Sequence, residues 1–199
     1  DGVLLADGTE VFCDYVVPAC DMSVTFGRLL PREKMGSLLR QMYEDRRAYP
    51  VYNTFQTAMA VDSPENPLET ETIWNCPELI FTKGMSERVT GKSYAYEPGF
   101  APAGKQLIQT LQGGSEEVYS YWIRLYQDPV AYQRQKSLLA ERTREMLEEH
   151  FPALRGRLRV LDAWTPMTYT RYCSAYKGFY QAFSISKYSA KLPYPSAYV

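Results

Sequence analysis

Hydrophobic and polar positions alternate from the N-terminal end, where Val3, Leu5, Val11 and Cys13 are spaced by less apolar neighbours on either side of Ala6-Asp7-Gly8-Thr9. A glycine-containing polar turn between two short alternating runs predicts a hairpin. The apolar run Tyr15-Val16-Val17 then predicts a buried strand, closed by Pro18-Ala19-Cys20-Asp21, where a helix can begin. A hairpin and one strand need a larger sheet to join, because two strands alone are marginal. With Asp1 as the first residue, the pattern is the one expected of a chain cut from a longer protein.

Beyond Asp21 the period lengthens. Residues 21–30 predict a short helix capped by Asp21 or Ser23, and Pro31 suits the first turn of a second helix to about Ala48. Met35, Leu38, Leu39 and Met42 fall on one face of that helix, and Tyr49-Pro50 ends it. Val51 to Val61 predicts a strand with Val51, Asn53, Phe55, Thr57, Met59 and Val61 on one side, followed by a polar loop over residues 62–69. Three further strands are predicted over Thr70–Asn75, Ser86–Tyr96 and Lys105–Leu111, with Gly113-Gly114 as the turn into the next element.

Ser115 is placed to cap a helix that carries Glu116 and Glu117 at its positive end, and Asp128-Pro129 opens a longer helix to about His150. Leu138, Leu139, Met146, Leu147 and Phe151 form its apolar stripe, opposite a charged, solvated face. Leu158 to Trp164 predicts a last strand, and Thr165-Pro166 caps and starts a short helix, with a Lys177-Gly178 turn beyond it. This order predicts an α+β fold, a mixed or antiparallel sheet with helices packed on one face.

Composition narrows the function classes. The 199 residues are 45% hydrophobic and 23% charged, the balance of an ordinary globular protein. With 22 basic against 23 acidic residues there is no basic excess to neutralise phosphates, which argues against a nucleic-acid binder. No apolar run is long enough for a membrane span. Cys13, Cys20, Cys76 and Cys173 show no CxxC spacing and His150 is the single histidine, so neither a tetrahedral zinc site nor a disulfide framework is expected, and no metal is assigned. Free thiols point to a reducing, cytoplasmic location.

No nucleotide-binding glycine motif, nucleophile elbow or metalloprotease motif is present. His150 ends a charged helix, where a polar group suits the negative dipole end, and no residue is identified as a catalytic acid or base. The chain carries 17 tyrosines, crowded towards Trp164-Thr165-Pro166-Met167-Thr168-Tyr169-Thr170-Arg171-Tyr172 and Tyr176-Lys177-Gly178-Phe179-Tyr180. Residue types alone leave two readings of that cluster open, an aromatic core where a helix docks and the wall of an apolar ligand cavity with polar tips.

Three segments carry a resemblance. The stretch from Ala6 to Asp21 resembles the strand pair and last buried strand that close the FAD-binding domain of phytoene desaturase-like oxidoreductases. That family includes carotenoid desaturases and retinol saturase-like proteins, within the amine-oxidase type flavoproteins. Ser93 to Leu111 (SYAYEPGFAPAGKQLIQTL) is similar to the family's strand, proline turn, "AP-GK" and strand, and Asp162 to Tyr180 to its "D-ATP-TY-RY…WKG" segment, with Tyr176 where tryptophan is usual.

The resemblance implies residues 1–21 as the tail of an FAD-binding domain, 22–185 as a substrate-binding domain, and 186–199 as a linker back to the FAD domain. It implies FAD in the parent protein, contacted by Pro18, Ala19, Tyr176, Lys177 and Gly178, and none in this chain alone, which lacks the glycine-rich pyrophosphate turn. Tyr169 and Tyr172, with Tyr52, Phe55, Tyr94, Tyr96 and Trp164, are the residues expected against an apolar, isoprenoid or lipid substrate. The parent is then an FAD-dependent oxidoreductase, cytoplasmic or peripheral to a membrane, and this chain by itself inactive. The alternative is a non-enzymatic α+β module that binds a lipid or a protein partner through its tyrosine-rich surface.

Overall fold

A computed structural model describes residues 2–30, 35–63, 68, 70–180, 183–184 and 186–189. The fold is α+β. Strands β1 (Gly2–Leu4) and β2 (Glu10–Phe12) pair as a small antiparallel hairpin, turned by Asp7, whose Oδ1 accepts from Thr9 N at 2.9 Å, and by Gly8 at φ +88°. The run Tyr15-Val16-Val17 forms no strand and is exposed, with Tyr15 90% accessible. Its apolar character predicts burial, but no described strand lies beside it to share backbone hydrogen bonds.

Asp21 caps helix α1 (Met22–Val24), which continues as a π turn over Thr25–Leu29. Helix α2 is shorter than its apolar pattern predicts, Ser37–Glu44, ending where Asp45 turns out of the helix and accepts from Arg47 and Ala48 N–H at 3.0 Å each. Residues 31–34, where that helix is predicted to start, lie outside the described residues, as do 64–67 and 69 of the polar loop and 190–199 of the predicted linker.

The main sheet contains β3 (Asn53–Val61), β4 (Glu71–Asn75), β5 (Met85–Ser93), β6 (Gln106–Gly114) and β7 (Leu158–Trp164) in the order β4-β5-β6-β3-β7, every pair antiparallel. β3 lies between β6 and β7 and is buried on both faces rather than one. β5 ends three residues before Tyr96, because a turn closed by Glu97 N–H donating to Tyr94 O at 3.1 Å follows it. Gly113 and Gly114 are not a turn. They extend β6, opposite Thr54 and Asn53. A side chain at Gly113 would meet the Tyr52 hydroxyl, and one at Gly114 the Val118 methyl, so backbone proximity explains the pair.

Helix α3 (Glu116–Leu125) places Val118 and Trp122 inward, and α4 (Pro129–His150) is started by Asp128, whose carboxylate accepts from Val130 and Ala131 N–H at 2.9 and 3.1 Å. The inward face of α4 is Leu139, Ala140, Thr143, Met146 and Leu147; Leu138, predicted in the apolar stripe, is 52% exposed because it stands a helical step off that face. Thr165 and Thr168 close a capping box at the start of α5 (Pro166–Cys173). Helix α4 runs from one sheet edge to the other. Near its start Tyr132 OH meets Thr165 Oγ1 just past β7 at 2.9 Å, and near its end Met146 Sδ accepts from Trp74 Nε1 on β4 at 2.9 Å.

Two apolar clusters fill the space between sheet and helices. One joins Met59, Val61, Val89 and Ile108 to Met146, Leu147 and Leu154; the other joins Phe55 and Ala163 to Val118, Trp122, Leu139 and Met167. The odd-numbered residues of β3 face these clusters. The even-numbered ones, Thr54, Gln56, Ala58 and Ala60, face the other side with Gln109 and Leu111 of β6 and Thr90 and Lys92 of β5. Among the described residues no helix is long and apolar enough to cross a membrane.

Candidate functional site

The sheet face away from the helices carries polar side chains where strand alternation ordinarily places solvent-facing residues, yet several are buried and bonded to one another. Tyr94 OH donates to Gln109 Oε1 at 2.6 Å, Gln109 Nε2 to Gln56 Oε1 at 2.8 Å, and Gln56 Nε2 to Tyr169 OH at 2.5 Å and Thr54 Oγ1 at 3.0 Å. This ladder crosses from the end of β5 through β6 and β3 to α5. A groove of about 270 Å³ opens beside it, lined by Tyr52, Glu71, Thr90, Lys92, Tyr94, Gln109, Leu111 and Tyr180.

Each member is held from behind. Tyr52 takes its place where Gly113 leaves room, and its carbonyl accepts from Tyr180 N–H at 3.0 Å. Tyr169 stands on α5 with its ring edge-on to Tyr180, centroids 5.8 Å apart. Burial pushes the Tyr169 hydroxyl up to about 12, with Tyr180 and Cys173 adding to the rise and a hydrogen bond to Thr54 opposing it. The Tyr52 hydroxyl is raised as well, by burial and then by Tyr180. These phenols therefore act as neutral donors and acceptors, not as bases, near neutral pH.

Raised phenols have a consequence at high pH. A tyrosine ionises near about 10 when unfolded, and one held neutral in the fold contributes stability that is complete below that pH and is lost as pH rises through the folded value. Tyr43, whose hydroxyl is raised by burial and by the Asp21 carboxylate, acts in the same direction. The urea midpoint is expected to fall between pH about 10 and about 12. In the native protein a subset of tyrosinate absorbance should develop late; titration of every tyrosine together at the ordinary value would contradict this assignment.

The residues predicted against a substrate divide. Tyr52, Tyr94 and Tyr169 meet on this face, and Trp164, paired with Gln56 in the register, lies on the same side. Tyr96 is exposed at the rim, with its ring 6.1 Å from that of Tyr94. Phe55 points to the opposite side, stacked on Trp122 in the core, because its odd position in β3 faces the helices. Tyr172 is 72% exposed on α5 and does not line the groove. The ladder's central residues, Gln56 and Gln109, carry a signal that pattern reading passes over: uncharged polar residues in the middle of otherwise apolar strands.

The residues predicted to contact a cofactor are engaged within the chain. Tyr176 N–H donates to Asp21 Oδ2 at 2.8 Å, and Lys177 is ion-paired with Glu116. Gly178 has φ +59° and packs against the Pro166 carbonyl. Asn53, with its amide oriented to suit its neighbours, donates to the carbonyls of Lys177 and Gly178 at 3.1 and 3.0 Å. Pro18 lines a second, mostly apolar cavity of about 430 Å³ between the hairpin and the π turn, with Val3, Leu4, Val16 and Leu29, and Ala19 is exposed. The close backbone approach at Gly178 is thus used by the chain itself.

Cys76 is buried, and its thiol is pushed up to about 12 by desolvation and by Glu78. It is therefore not a nucleophile at neutral pH. All four cysteines are free.

No protein-family model matches the chain, and no curated protein or solved structure matches it. Fold and site by themselves define an α+β protein whose sheet is covered by helices on one face and presents a tyrosine- and glutamine-lined groove on the other.

Proposed function

We propose that this chain is the substrate-binding module of an FAD-dependent oxidoreductase acting on an isoprenoid or lipid substrate, with the flavin held by a separate FAD-binding domain of the parent protein. The observation that supports this reading is the sheet face away from the helices, which gathers Tyr52, Tyr94 and Tyr169 around the Gln56–Gln109 ladder. On this reading Leu111 and the tyrosine rings receive the apolar chain, while the amides and hydroxyls orient an oxygen-bearing end. Orientation and exclusion of water are what a protein contributes beside a redox cofactor. The exposed apolar segment through Leu4, Phe12, Tyr15 and Val17 suits the seat of the partner domain, since apolar patches of this kind mark interaction sites.

The test titrates the 199-residue chain separately with FAD and with geranylgeraniol as probe, following intrinsic fluorescence. Geranylgeraniol is expected to saturate the signal, and Gln109→Leu to weaken it about tenfold, the loss of roughly one net hydrogen bond. FAD is expected to show no tight binding. Tight stoichiometric FAD binding by this chain, or an unchanged geranylgeraniol affinity in Gln109→Leu, overturns the reading.

A further inference from the structure

The sequence Trp74-Asn75-Cys76-Pro77-Glu78 leaves β4 and turns at once through a short 3-10 segment, Pro77–Leu79. The edge-to-edge course of α4 brings its last residue, His150, to the same corner, where the rings of Trp74 and His150 are 6.3 Å apart. One ligand atom from each of Cys76, Glu78 and His150 lies within 4.8 Å of the others. We propose that these three side chains form a site for a single zinc-class divalent cation, with a fourth position open to water.

The donor set selects the metal. A thiolate, an imidazole and a carboxylate suit borderline zinc better than magnesium or calcium, which select all-oxygen sites. Three protein ligands with one open position is a recurring zinc arrangement. Zinc–ligand distances of about 2.0–2.3 Å put tetrahedral ligand atoms roughly 3.5 Å apart, so closure requires a contraction of about 1 Å. Glu78 stands at an exposed position, where its side chain can make most of that shift, while Cys76 is fixed by burial and His150 is held by its bond to Met146 O.

The imidazole is also oriented. His150 Nδ1 lies 3.0 Å from Met146 O, so a proton on Nδ1 is donated to that carbonyl and Nε2 keeps its lone pair. This is the outer hydrogen bond that metal-binding histidines ordinarily make. Trp74 Nε1 bonds Met146 Sδ at 2.9 Å and ties the end of α4 to β4, which keeps the imidazole beside the Cys76 turn. Glu78 makes no ion pair among the described residues. A coordinated cation displaces the thiol proton outright and sits between two negative ligands. Trp74 faces the helix side of the sheet, so this corner is separate from the groove, and the proposal does not depend on the function proposed for it.

The experiment titrates the chelator-treated chain with Co²⁺ and then displaces it with Zn²⁺. One equivalent is expected to bind with a thiolate-to-cobalt charge-transfer band and the intense visible bands of four-coordination. Cys76→Ser should abolish the charge-transfer band. Because a buried substitution can disturb folding, His150→Gln and Glu78→Gln at exposed positions provide the second measure. Each should lower Zn²⁺ affinity about tenfold or more with the circular dichroism unchanged. Absence of saturable one-equivalent binding overturns the proposal. So does a charge-transfer band that survives in Cys76→Ser, or an affinity unaltered in His150→Gln, since the ion would then be held by the other thiols.

Discussion

Replacing Trp122 with alanine should remove about 3–5 kcal/mol of stability, the range for deleting a large buried aromatic. Trp122 is fully buried at the meeting of α3, α4 and β3. Its ring stacks on Phe55 at 6.0 Å and 9° and meets Phe81, Tyr121 and Tyr132 edge-on at 5.6, 5.5 and 5.6 Å. Four neighbouring rings anchored on different elements cannot all collapse into the space, so a cavity remains and adds to the transfer cost. Trp122→Phe discriminates between packing and polarity. The indole N–H has no hydrogen-bond partner among the described residues, so phenylalanine keeps a ring in place and removes a buried, unsatisfied donor. Its loss should be about 1–2 kcal/mol, well below that of alanine. Urea unfolding with unchanged m-values would report both numbers; equal losses for the two variants would mean that the stack is not what holds this corner.

The second large effect is expected at Gly178. Its φ of +59° is left-handed, and an added Cβ would fall 2.3 Å from Pro166 O. Alanine in that region costs about 1–2 kcal/mol from backbone sterics alone. The collision comes on top, and the carbonyl has little freedom to retreat. Pro166 opens α5 behind the Thr165–Thr168 capping box, and its carbonyl also accepts from Thr170 Oγ1 at 3.1 Å. Gly178→Ala should therefore lose about 3 kcal/mol or more and loosen the Lys177–Glu116 ion pair and the Asn53 clamp with it. Gly8→Ala is the matched control: its φ is +88°, but nothing lies within 4 Å of the added Cβ. It should cost only the backbone part, about 1–2 kcal/mol. Equal melting shifts for the two variants would refute the clash at Pro166.

Where local chemistry decides an element, the chain spells it out. Leu158–Trp164 and the helix after Thr165-Pro166 fall where pattern and caps predict, because strand alternation and an N-cap are properties of adjacent residues. Where a neighbour distant in sequence decides, the pattern misleads. Gly113-Gly114 has turn composition but is a strand end shaped by Tyr52 and Val118. Tyr15–Val17 has strand composition but no described strand beside it.

The candidate groove shows the same division. Tyr52, Tyr94 and Tyr169 are visible as aromatic residues with polar tips, and Phe55, which has no such tip, is one more aromatic strand residue beside them. Only the register of β3 separates Phe55, at an odd position facing the helices, from Gln56, at an even position facing the groove. The turn at Tyr176-Lys177-Gly178 is legible as a turn; that Asp21, Asn53 and Glu116 already occupy its polar groups is a property of the folded chain.

The central position of β3 also governs the order in which the molecule can be assembled. During synthesis β3 emerges before both of its sheet partners, β6 and β7, with α3 and α4 intervening before the latter. Until then a nine-residue strand, buried at nearly every position in the finished protein, has two unpaired edges. Closing those edges requires contacts of long sequence separation, which form slowly. A nascent chain halted before Leu158 would present one bare edge of its most buried strand, the state in which intermolecular strand pairing competes best with folding.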